Sequence, residues 1–265
     1  MNSDHAILVP NPDLPPGRTV QSQQTKALRG EVWLILQTYQ AQQLLRGRAR
    51  TKDRPVIIGL IGFADRLRVI WQAARSDDPY ADWWLIQVHD ALQVIDDVIE
   101  ERQASVTQQL EQIRGMYVTV GSSVEPSRIR LQFINPYAYR AARSLARFDN
   151  LVCSVATAAH IGLLDSDTRH QILQACGRKL RSLFMLPQRY RLLALDRETV
   201  RRKAGRSREA QLAMGELPAS ILSGEQQSPL TPRKINFPLS LLESTRSSPG
   251  LLSQNDNDDQ KDGGD

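Results

Sequence analysis

The sequence predicts a mainly α-helical fold with a small antiparallel β-ribbon, a ribbon-helix-helix-like unit packed on a helical layer. Three observations predict it. Apolar residues spaced by three and four recur through most of residues 25–185, which is the period of an α-helix. Asp78-Pro79 and Asn135-Pro136 each set a capping side chain before a proline, whose fixed φ suits a first helical turn. Period-two patterning is confined to 117–120 and 128–133, which are short enough for a ribbon and no more.

The elements follow in order. Residues 1–20 hold four prolines and no periodic pattern, and read as a disordered arm. Residues 25–46 carry Leu28, Val32, Ile35, Leu36, Tyr39 and Leu44 at near-helical spacing and predict a first helix. The basic stretch 46–54 is a loop. Pro55 opens a second helix to about Ser76, in which Gly59 and Gly62 leave room for another helix to come close. A long third helix runs from Pro79 to about Arg114 on a seam that includes Trp84, Val88, Leu92, Ile95 and Ile99. Trp83 and Trp84 are expected in the core, because aromatic rings bury large apolar areas.

YVTV (117–120) and RIRLQF (128–133) are the candidate strands. Ile129, Leu131 and Phe133 share one face of the second strand; Arg128, Arg130 and Gln132 share the other. The two strands can close a hairpin within the chain, or the second can pair with its copy in a dimer. Helices then follow over 136–160, with Gly162 as the stop, and from a cap at Asp165 or Ser166 to the region of Pro187. Residues 196–214 read as a basic surface helix weakened at Gly205. This gives an arm over 1–21, a helical layer over 22–115, a basic ribbon-and-helix region over 116–224 and a disordered tail over 225–265 with an acidic end.

Charge locates the candidate function. The net formal charge is only +5, yet residues 128–208 hold 17 basic and five acidic side chains. A block this basic needs a polyanionic partner or a large solvated arginine face. A strand lying in a DNA groove must be apolar on the side that meets its helices and must offer Arg, Gln or Asn on the other. Arg130 and Gln132 meet that requirement as base contacts, with Arg128 at the rim. Arg140, Arg143 and Arg147 form one helical flank suited to phosphates, and Arg201, Arg202 and Lys203 form a second. The competing reading is a solvated strand face, since any half-buried strand alternates in this way.

Other classes find little support. No apolar run approaches the length of a membrane span, and no signal peptide is readable. Cys153 and Cys176 lie in helical sequence and fit a reducing, cytoplasmic setting. The histidines have no metal-ligand spacing, and no phosphate loop or nucleophile motif is present. The acids Asp77, Asp78, Asp82, Asp90, Asp96 and Asp97 lack a Lys or His partner at defined spacing, so neither an enzyme nor a cofactor is expected.

Four stretches resemble a known family: residues 59–88, which contain SDDPYADWW; 130–152, which contain NPYAYRAARSLARFD; 157–165; and 208–222. The family comprises proteins of integrating conjugative elements and related plasmids, grouped with AcaB-like transcriptional regulators. The resemblance spans roughly residues 28–235 and leaves the end of the tail outside. It implies a bacterial mobile-element protein that regulates transfer genes. It also implies a ribbon-helix-helix type of contact with double-stranded DNA, made by a homodimer, with the 128–133 strand as its reading element. A non-enzymatic structural or protein-interaction component of the same element is the alternative.

Overall fold

Three caps set the frame. Asp78 accepts from the amides of Tyr80 and Ala81 and starts helix α3 (Pro79–Glu111). Asn135 accepts from Ala138 N and starts α4 (Pro136–His160), and Asp165 accepts from Thr168 N and starts α5 (Ser166–Met185). Each satisfies a first-turn amide that the helix itself leaves without a partner. The computed structural model describes residues 30–52 and 55–235. Val32 onward forms one compact unit; in the segment before it, Gly30 and Glu31 are the described residues.

Helix α3, 33 residues and about 50 Å long, is the axis of this unit. Helices α2 (Leu60–Arg75), α4 and α5 all pack on it. The side-chain bonds from His89 to Arg140, Asp96 to Ser144 and Gln103 to Ser154 climb both chains together, so α3 and α4 run parallel. Leu85, Leu92, Ile95 and Ile99 of α3 and Tyr137, Leu145, Leu151 and Val155 of α4 are buried in one shared core. Phe63 of α2 meets Phe184 of α5 at 5.5 Å between ring centroids.

The first predicted helix is in fact a strand and a short helix. Val32–Leu36 is β1, and Tyr39–Arg46 is α1, with Thr38 as its N-cap. The VWLIL run alternates, with Leu34 and Leu36 buried and Trp33 and Ile35 outward, and its long-range partner decides the outcome over the local helical spacing. That partner is β4 (Ser127–Leu131), antiparallel, with Trp33 opposite Arg130 and Ile35 opposite Arg128. The small antiparallel ribbon is therefore built within one chain, from strands about a hundred residues apart. YVTV is not a strand; residues 117–126 are irregular and are pinned to α4 by Gly121 N donating to Thr157 Oγ1.

Two further departures concern glycines and the C-terminal region. Gly47–Arg48 (β2) and Ile57–Ile58 (β3) form a second, minimal antiparallel pair ahead of α2. Gly59 admits the backbone at the end of α1 rather than another helix: a Cβ there would sit on Leu45 O and Gly47 N. The predicted 196–214 helix breaks at Gly205 into α6 (Arg197–Arg201) and α7 (Ser207–Met214), joined through left-handed Lys203 and Gly205. Helix α8 (Ala219–Ser223) follows. Residues 225–235 were expected to begin the disordered tail, yet Ser228 and Pro232 are buried and Tyr137 Oη accepts from Leu230 N. The 1–21 arm and the acidic end lie outside the described residues.

Candidate nucleic-acid interface

The β1–β4 ribbon is held from below. Its inward residues Leu34, Leu36 and Leu131 join the core, with Ile129 half-buried beside them. Where β1 turns into α1, Asp149 of α4 accepts from Gln37 N at 2.5 Å, Thr38 N at 2.9 Å and Thr38 Oγ1 at 2.6 Å. A carboxylate with three donors fixes the turn, and with it the end of β1, on α4. Thr38 in turn caps α1 through Ala41 N.

The outward face carries Trp33 and Ile35, 51% and 45% exposed, in register with Arg130 and Arg128. The alternation of 128–133 places the two arginines here but not their apolar cross-strand neighbours, because the spacing over 25–46 predicts a helix where β1 lies. Gln132 is exposed just past the end of β4. Five residues per strand at about 3.4 Å each give a ribbon about 17 Å long, a size that a major groove admits.

The α4 arginines face a different surface. Arg140 donates to His89 Nδ1 at 2.9 Å. Arg143 and Arg147 reach the buried carboxylate of Asp96 at 3.6 and 3.7 Å, and Arg147 also pairs with Glu100 at 3.3 Å. All three bind α4 to α3, so a phosphate there competes with the His89 ring at Arg140 and with carboxylates at Arg143 and Arg147. Arg202 pairs with Glu198 at 2.7 Å, Arg201 lies 3.9 Å from the same carboxylate, and Lys203 is exposed at the end of α6.

A buried polar cluster at the start of α3 escaped sequence reasoning. Arg197, nearly buried, bridges Asp82 at 2.5 Å and Asp77 at 3.2 Å and donates to the carbonyls of Ile221 and Leu222. Lys234 also pairs with Asp77. Tyr190 Oη donates to Asp78 Oδ2 at 2.6 Å. Burial pushes the Asp78 carboxyl up to about 6, against the opposing pull of its hydrogen bonds, and also drives the Tyr190 hydroxyl well above its ordinary value. The partners lie more than a hundred residues apart, and no local signal joins them. The cluster fastens the α6–α8 region to the N-terminal end of α3.

Among the described residues no group of His, Cys, Asp and Glu has the makings of a metal site, and no helix is long and apolar enough to cross a membrane. No curated protein matches the chain. A crystal structure of selenomethionine-containing AcaB from uropathogenic E. coli superposes with a TM-score of 0.49 at 15% identity, covering 74% of this chain and 95% of that one. The family model described as transcriptional regulator AcaB matches residues 24–234. By that match over most of its length, the chain belongs to the AcaB family of transcriptional regulators.

Proposed function

We propose that the protein is a cytoplasmic, DNA-binding regulator of the transfer genes of a conjugative element, and that the outer face of the β1–β4 ribbon reads its sites. The observation that carries this reading is the composition of that face. Arg128 and Arg130 stand opposite Ile35 and Trp33 on a rigidly seated two-stranded ribbon. Arginine pairs with guanine O6 and N7, and apolar side chains meet the thymine methyl. Gln132, exposed beyond β4, extends the polar row toward adenine. Arg140, Arg143, Arg147, Arg201, Arg202 and Lys203 serve the flanking phosphates only where they exchange a carboxylate, the His89 imidazole or solvent for one. Each chain has a complete ribbon, so a homodimer presents two ribbons to two half-sites.

The direct test is fluorescence anisotropy with duplex from the element's own promoters across a salt series. Steep loss of affinity with rising salt is expected. Arg128→Ala with Arg130→Ala should leave binding but level the difference between promoter and arbitrary duplex. Equal affinity of the unaltered protein for both duplexes refutes base reading. A second reading, a protein-interaction component of the element, draws on the exposure of Trp33, Ile35 and Val32. Apolar side chains grouped on a surface also serve protein partners. In that case Trp33→Ser abolishes self-association by light scattering while duplex affinity stays unchanged.

A further inference from the structure

The basic segment that follows α1 has a place in the fold that the ribbon does not use. Between α1 and the β2–β3 pair on one side and α5 on the other lies a cleft of about 1130 Å³, with Phe148, Val152 and Ala156 of α4 in its lining. Arg46 and Arg48 project from the first wall, and Arg169 and Arg181 from the second. Asp167 is the one carboxylate among the lining residues. The first wall is held by a close backbone contact. Gly47 has a φ of +73°, and a Cβ on it would overlap Ile57 O and Gly59 N. Arg48 is further tied by Nη2 donating to Pro55 O at 3.3 Å.

These arginines differ from four others of the basic block 128–208. Arg143, Arg147, Arg197 and Arg202 each have a carboxylate. Arg46, Arg169 and Arg181 have neither an ion pair nor a hydrogen bond among the described residues. Arg181 is half-buried, and its guanidinium folds back over Gly177, where a Cβ would lie 3.3 Å from Nη1. Burial, and secondarily the charge of Arg178, lower its pKa. Four arginines against the single carboxylate of Asp167 leave the lining net positive, which favours an anion.

The spacing of the cations defines the anion. Arg169 and Arg181 are twelve residues apart on one helix, which is about 18 Å along its axis. One phosphate group cannot meet both, whereas successive phosphates of a strand can. The apolar floor and the glutamines of the wall (Gln40, Gln43 and Gln174) suit a sugar-phosphate chain better than a dense acidic peptide. The geometry points to this cleft as a seat for a run of nucleic-acid phosphodiesters, separate from the β1–β4 ribbon and indifferent to base sequence. The inference rests on the DNA-binding reading above and adds to it the contact that supplies affinity.

The test uses the full chain and a labelled duplex of arbitrary sequence, about two helical turns long. Each duplex phosphate held steepens the plot of log affinity against log salt by about 0.9. Arg169→Gln with Arg181→Gln should therefore lower that slope by about 2, and lower affinity at 0.1 M salt by about 60-fold if the contribution vanishes near 1 M. Arg46→Glu and the single change Arg169→Gln, both at exposed positions, should act in the same direction with an unchanged melting temperature. An unchanged slope in all of these variants overturns the proposal. So does displacement of the duplex by deoxyadenosine monophosphate as effective, per phosphate, as by an unlabelled oligonucleotide, which marks a small-ligand site. If the unaltered protein binds no duplex, the DNA-binding reading fails and takes the cleft with it. If it binds, and only the ribbon variants change the outcome, the cleft proposal alone fails.

Discussion

Asp149 is where the ribbon's position is decided, and its removal gives the sharpest stability prediction. The carboxylate is 1% exposed and accepts three hydrogen bonds from Gln37 and Thr38, more than a hundred residues earlier in the chain. Hydrogen bonds to a charged group contribute about 1.5–3 kcal/mol each, and the donors here are only half-buried, so water recovers part of that. Asp149→Ala should then cost about 3–4 kcal/mol. Asp149→Asn should cost nearly as much, since its amide turns a donor toward a donor. Urea denaturation measures the loss. Amide hydrogen exchange should show the protection of Trp33–Leu36 falling with it while α3 stays protected, because the bond set anchors β1 and not the helical core. A loss below about 1 kcal/mol, or β1 amides as protected as before, refutes the claim that Asp149 seats the ribbon.

The remaining predictions concern the polar cluster at the start of α3 and the β2–β3 pair. Arg197→Ala strips the buried Asp82 carboxylate of its closest partner and should destabilise by about 3–5 kcal/mol in urea. Asp78 has a folded pKa of about 6 against an ordinary 3.8, so between those values the native state keeps a proton that the unfolded chain has released. Its contribution is thus fully present below about pH 4 and is lost as pH rises through 6, a fall of roughly 3 kcal/mol. Asp78→Asn, which imitates the neutral carboxyl, should flatten that part of the stability-against-pH curve, and an unchanged curve rules Asp78 out as its source. Gly47→Ala drives a side chain into the backbone of β3 at a left-handed position; a melting temperature within a degree or so of the parent's contradicts the close approach at that site.

The parts of the fold that were legible in the sequence are those written locally. Asp78-Pro79, Asn135-Pro136 and Asp165 each start a helix with side chains a few residues away, and α3, α4 and α5 begin where those residues place them. The alternation of 128–131 was legible for the same reason. Its partner was not, because Val32–Leu36 is apolar at every position and carries no period of two, so only a contact across about a hundred residues makes it a strand. The β2–β3 pair has two residues per strand, too few for a period to register. The α4 arginines looked available for phosphate on their own helix. Parallel packing then set Asp96 and Glu100 against Arg143 and Arg147, which no spacing within α4 reveals. The arginines of the cleft come from two segments that folding joins, and neither segment alone has more than a solvated basic face.

The central claim is that the outer face of the ribbon reads base sequence. In-vitro selection from a random duplex library, run in parallel on the unaltered protein and on Arg128→Ala with Arg130→Ala, tests it most directly. The account predicts a motif containing guanine for the unaltered protein, and no motif for the double variant at comparable retained affinity for bulk duplex. Recovery of the same motif by both proteins would contradict it.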